Sequence, residues 1–139
     1  MVHTFDGFNW FIRLQKGERL KENLEKFMAE IDNGAWVSGV GAAQEVELSY
    51  YDLKAKEYQN KTFTDLLEVV SLQGNIALNE EGKPVFHLHG VFSGADYQTI
   101  GGHVKDLVAG GTLELFIHRA YKPVHRKHDE ETGLNLLEL

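Results

Sequence analysis

In NWFIRLQKG, apolar residues fall at every second position: Trp10, Ile12 and Leu14 share one face of a predicted strand, and Gly17 supplies the turn that ends it. The period then lengthens. Across ERLKENLEKFMAEIDNG, the residues Leu20, Leu24, Phe27, Met28 and Ile31 follow i, i+4, i+7, i+8, i+11, one apolar stripe along a helix, with Gly34 placed to cap its C-terminus. Glu and Lys occupy the opposite face, so one side packs and the other is solvated. From Ala35 onward the period returns to two. WVSGVGAAQEVELSYYDL, EYQNKTFTD, LLEVVSLQGNIALNEEGKPVFHLHGVFS and TLELFIHRAYKPVH read as strands, punctuated by Asn33-Gly34, Glu81-Gly82-Lys83-Pro84 and Gly110-Gly111. The intervals are too short for crossover helices, so most pairs should be antiparallel. A second short helix or a turn is expected between Gly94 and Val108. The closing HDEETGLNLLEL is too apolar for a loose tail. Leu134, Leu136, Leu137 and Leu139 are expected to be buried in a last strand, whose deletion would destabilise the fold. The whole pattern predicts an α+β fold, one domain spanning residues 1–139, with a mostly antiparallel β-sheet packed against one main α-helix.

Composition narrows the chemistry. With 139 residues, 42% of them hydrophobic, the chain can close a core without staples. It has no cysteine, which removes disulfides, thiolate metal sites and thiol nucleophiles, so a metal would have to be held by His and carboxylate. MVHTFDGFNWFIRL shows no basic-then-apolar leader and no run approaches a membrane span, so a cytoplasmic protein is expected. Asp and Glu outnumber Lys and Arg by 21 to 14, a net charge of −7 that opposes phosphate-backbone binding by the domain as a whole. The exception is HRAYKPVHRK, which carries Arg119, Lys122, Arg126 and Lys127 without an acid and is the candidate contact for an anion or nucleic acid. Its alternative reading is a solvated edge strand and turn whose cations discourage edge pairing.

Three of the seven histidines lie in PVFHLHGVFSGADYQTIGGHV. On a strand His87 and His89 project the same way with Cα atoms roughly 6 to 7 Å apart, and their imidazoles can converge on one ion at about 2.0 to 2.1 Å from each nitrogen. His103 follows Gly101-Gly102, where a loop lacking side chains could bring its ring back over the strand. Three imidazoles with an open fourth position suit zinc or a similar divalent ion. Spacing alone leaves the alternative open: partly buried rings satisfied by carbonyls or cross-strand partners. Phe86, Leu88 and Gly90 fall on the other face, as a sheet with core on one side requires. SGVGAAQ lacks the Lys-Ser/Thr of a phosphate loop and reads as a bulged or closely packed strand. No Gly-x-Ser-x-Gly elbow occurs. Glu45, Glu47, Glu68 and Glu114 are strand carboxylates, any of which could serve a metal-bound water as base, and none is singled out. The catalytic residues, if the chain is an enzyme, are therefore unknown from the sequence.

Taken together, FIRLQKGERL, SGVGAAQEVELSYYD, LLEVVSLQGNI, HLHGVFSGADYQTIGGHV and HDEETGLNLLEL resemble the plants-and-prokaryotes (PPC) domain, in its stand-alone prokaryotic form, over nearly the whole chain. HLH followed by GGHV is the most specific part. The resemblance implies an α+β domain with a mostly antiparallel sheet, assembly as a homotrimer, and a metal site on His87, His89 and His103; by the chemistry of three imidazoles the expected ion is zinc. It also implies a DNA-associated or regulatory binding role, with DNA or another protein as partner. The Arg-Gly-Arg-Pro AT-hook that accompanies the plant members is absent here. The expected function is thus a homotrimeric, metal-binding PPC-domain protein acting as a binding or regulatory module. The alternative is a metal-dependent hydrolase or isomerase acting on a small anionic substrate held by Arg119 or Lys122. Trp36 and Phe116 are the residues expected to supply apolar interface.

Overall fold

The computed structural model describes residues 1–28, 31 and 33–139. Among the described residues nine strands and one helix run in the order β1 (Val2–Phe5), β2 (Asn9–Gln15), α1 (Leu20–Phe27), β3 (Ala35–Asp52), β4 (Glu57–Phe63), β5 (Leu67–Leu78), β6 (Pro84–Ser93), β7 (Thr99–Arg119), β8 (His125–His128) and β9 (Asn135–Glu138). Strand dominates. The period-two runs become strands because alternate residues can be buried on one face: Ile12 and Leu14 of β2 are sealed while Phe11 and Arg13 point outward. Gly17, at φ +85°, makes the turn into α1.

The helix is short, eight residues, and Leu20, Leu24 and Phe27 of its apolar stripe are buried in the same cluster as the sheet core, together with Met28 and Ile31. Ala29, Glu30 and Asp32 of the expected longer helix lie outside the described residues. Gly34 adopts φ +89°, and a Cβ there would stand 2.5 Å from the Ile76 carbonyl oxygen, so both conformation and space demand glycine.

β3 and β7, of 18 and 21 residues, pair with each other along most of their length, and each offers its other edge to two partners in turn, β5 and β4 for β3 and β6 and β2 for β7. β3 pairs with β5, β5 with β6, β6 with the first part of β7, and β7 with β3, so the hydrogen-bonded path closes on itself. All of these pairs are antiparallel, and among the described residues the one parallel contact is the single pair Leu78 and His125. SGVGAAQ is a bulged strand, with a register shift between Gly39 and Gly41. Closure places Val37, Leu72, Leu88, Phe92, Leu107 and Ile117 in one core.

Of the short helix or turn expected between Gly94 and Val108 the turn forms, closed by Tyr97 N–H donating to the Gly94 carbonyl and leading directly into β7. Two other expectations are corrected. Gly101 and Gly102 are strand residues, not a loop, because they pair with Val91 and Gly90. The C-terminal strand forms and pairs with β8, yet Leu136, Leu137 and Leu139 are exposed, since β9 is an edge with nothing beyond it in a single chain. Val2–Phe5, not anticipated as a strand, is held as β1 by pairing with β2.

Gly74 of β5 lies beneath β6 where a Cβ would come 1.9 Å from the His87 carbonyl oxygen. Gly74→Ala is expected to lower the unfolding free energy by about 2 kcal/mol or more in urea denaturation. Gly111→Ala, where a Cβ would meet open space, should change it by less than about 0.5 kcal/mol.

Candidate metal centre

Antiparallel pairing puts directly opposed residues on the same face of a sheet. Following the register from β4 inward, Asn60 faces Ser49, Ser49 faces His103, His103 faces His89, and His89 faces Gln73. His87, two residues before His89, shares that face and sits opposite Asn75. The register thus brings together the three histidines that the sequence marked, with His103 delivered from a strand instead of a turn. Their ligand-capable atoms lie within 4.8 Å of one another. Ring centroids are 5.2 Å apart for His87 and His89, 5.6 Å for His87 and His103, and 5.4 Å for His89 and His103. Nitrogens on one tetrahedral ion at about 2.0 to 2.1 Å would stand roughly 3.3 Å apart, so modest ring rotations bring the three onto a common ion. No other donor set is needed, and the remaining position would be open.

Burial and neighbours favour the neutral form of His87 and His103. Partial burial, with His87, His89 and Arg126 nearby, pushes His103 down to about 4, and burial, then Arg126 and His89, also lowers His87. A neutral imidazole carries the free lone pair that a metal requires. Tyr58 lies against the His103 ring, centroids 5.5 Å apart.

Beside the histidines opens a cavity of about 420 Å³. His87 and His103 line it, with Arg126 and Lys105 as its cations and Ser49, Asn60 and Tyr58 as its neutral polar groups. Among the described residues lining it there is no carboxylate. Arg126 reaches this place from β8. Its guanidinium Nη1 donates to the Asn135 carbonyl at 2.7 Å, and Nη2 donates to Asn75 Oδ1 at 2.7 Å and approaches His87 Nδ1 at 3.3 Å.

The basic segment does not act as one patch. Arg126 is 7% exposed and turned toward the histidines, while Lys122 and Lys127 are exposed and line no cavity with it. Arg119 borders a separate hollow with Phe5, Phe8 and Tyr121. Sequence reading grouped these four by proximity in the chain and missed that strand alternation sends Arg126 inward and Lys127 outward. None of the four strand glutamates lines the histidine cavity: Glu45 pairs with Arg19, Glu47 accepts from Lys105 at 2.7 Å, and Glu68 and Glu114 are exposed.

Residues 5–120 match the Plants and Prokaryotes Conserved (PCC) domain, and the chain belongs to that family. No curated protein matches the sequence. Among solved structures, a metal-containing protein from Archaeoglobus fulgidus is 32% identical, with a TM-score of 0.85 and coverage of 100% of this chain and 99% of that one. A candidate DNA-binding protein from Ralstonia eutropha is 28% identical, TM-score 0.90, covering 99% and 95%. More distantly, an acetolactate decarboxylase from Bacillus subtilis shares the fold at 17% identity and TM-score 0.57, over 84% of this chain and 54% of the enzyme. No helix among the described residues is long and apolar enough to cross a membrane.

The depressed His103 sets a pH window. In the metal-free protein the folded chain leaves His103 unprotonated down to about pH 4, whereas the unfolded chain takes up that proton near 6.5. The unfolded state binds more protons between those values, so stability is full above about 6.5, declines as pH falls toward 4 and levels off below it. Urea midpoints measured from pH 7 to pH 4 should show this decline, and His103→Gln should make it shallower.

Proposed function

We propose that this chain is a homotrimeric, zinc-binding member of the PCC family, with His87, His89 and His103 as the metal ligands, acting as a regulatory or DNA-associated binding module. One observation carries the metal reading: three imidazoles from two paired strands converge on one face with no carboxylate competing for the site. The ion would hold β6 and β7 together and present an open position toward the cavity. That the Archaeoglobus protein is metal-containing supports it.

Trimerisation is supported by an outward sheet face that a lone chain leaves uncovered. Phe11 faces Phe116, Phe116 faces Ser38, and Trp36 and Val40 flank Ser38 on the same side. Trp36 and Val40 are half exposed. Copies of this chain could cover that face. Residues 121–139 we read as part of the same domain, because β8 contributes Arg126 to the cavity and β9 supplies the carbonyl that holds it.

The DNA association rests on the Ralstonia relative. With a net charge of −7 and Arg126 withdrawn from the surface, the exposed lysines of the basic segment, Lys122 and Lys127, are the cations best placed to meet a phosphate backbone. The second reading, a metal-dependent enzyme, is favoured by the open cavity beside the rings.

Elemental analysis of tag-free protein is expected to find close to one zinc per chain, and His87→Ala combined with His89→Ala should remove it. Unchanged zinc in that variant would refute the ligand assignment. Sedimentation should give three times the chain mass, with Trp36→Glu shifting the protein toward monomer; a wild-type monomer would overturn the trimer.

A further inference from the structure

A guanidinium rarely survives burial without a carboxylate. Arg126 does: it is 7% exposed, and each partner it has, the Asn135 carbonyl, the Asn75 amide and the His87 ring, is neutral. Its Nε–H is buried with no acceptor among the described residues. Lys105, the other cation of the cavity, is already answered by Glu47. The cavity is therefore left with one uncompensated positive charge and one orphaned donor in an otherwise acidic protein. The same cavity is also lined by the apolar side chains of Val85, Phe86, Leu134 and Leu136.

We infer that the cavity between β6, β8 and β9 binds a small carboxylic acid with an aliphatic body, its carboxylate on Arg126 and its body against Val85, Phe86, Leu134 and Leu136. A carboxylate supplies the acceptor that Nε–H lacks and the charge that the guanidinium lacks. The inference names a ligand class for the proposed metal module, and rests on that reading only for the ion, which would offer the bound molecule a second anchor at His87 and His103.

Calorimetric titration of tag-free protein, stripped with chelator and separately reloaded with zinc, tests this with butyrate, butyramide and inorganic phosphate as probes. Butyrate is expected to bind, butyramide not to bind, and Arg126→Gln to weaken butyrate at least tenfold. Butyrate binding that needs zinc and is still lost in Arg126→Gln also supports the inference. Absence of butyrate binding in both forms, equal binding of butyramide, preference for phosphate, or butyrate binding indifferent to Arg126→Gln each overturns it. Since Arg126 ties β8 and β9 to the sheet, Arg126→Gln could fail to fold. In that event the Nε–H resonance of wild-type Arg126 decides: it shifts with butyrate and not with butyramide if the inference holds, and an unmoved resonance refutes it. Failure of the metal reading is visible separately, as protein that takes up no zinc yet binds butyrate through Arg126.

Discussion

The antiparallel register of β6 against β7, with His89 facing His103, is the constraint on which the site depends. Side chains alternate across a strand, so a slip by one residue would carry His103 to the core side and Val104 to the surface. The core forbids the slip. Leu88 and Val104 are both buried on the opposite face, and Gly101 allows the two backbones to lie close, since a Cβ there would come 2.8 Å from the Gly90 carbonyl oxygen. Apolar burial on one side of the sheet therefore fixes the position of three polar rings on the other, and the rings need contribute nothing to folding in order to be placed.

β8 and β9 close the second side of the cavity by a different means. Their leucines give little hydrophobic anchorage, being largely exposed, and the parallel contact with β5 is a single residue pair. What fastens them is polar. Arg126 spans from β8 to Asn75 on β5 and to the backbone of β9, while Tyr51 donates its hydroxyl proton to the Thr132 carbonyl at 2.8 Å and Lys56 donates to Glu130. A wall held by a few hydrogen bonds, each worth about 0.5 to 3 kcal/mol, opens more readily than one sealed by core side chains. The rigid wall carries the histidines and the looser one faces them across the cavity, the arrangement expected where a ligand must enter.

Sequence periodicity made much of this legible. The stripe from Leu20 to Ile31 marked the helix, the alternation from Ala35 marked the sheet, and the single residue between His87 and His89 put both rings on one face. What it could not convey came from long-range pairing. Gly101-Gly102 looks like a turn in isolation, and only its pairing with Val91 and Gly90 makes it strand, so His103 joins His87 and His89 from a strand and not from a turn. Arg126 and Lys127 are indistinguishable in the sequence, and the parity of a four-residue strand separates a buried cation from a solvated one. The exposure of Leu136 and Leu137 illustrates the same limit from the other direction: alternation shows that a residue can be buried, and the availability of a partner surface decides whether it is.

Arg126 and the histidines act on each other through their charge. A guanidinium donating to His87 Nδ1 holds that ring neutral with its proton on Nε2, and it stands as a positive neighbour to any cation at the cluster. Metal ligation through Nε2 would require the His87 proton to move to Nδ1, which faces Arg126 and would then present donor to donor. An ion at the three rings and the hydrogen bond from Arg126 to His87 would then be antagonistic, and the antagonism would be relieved were Arg126 to turn to an acceptor of its own. An anion in the cavity would do so, taking the guanidinium from His87 and offsetting the charge of the ion at once. Cation and anion sites separated by one imidazole would then favour each other's occupancy, a coupling that must be reciprocal in binding free energy.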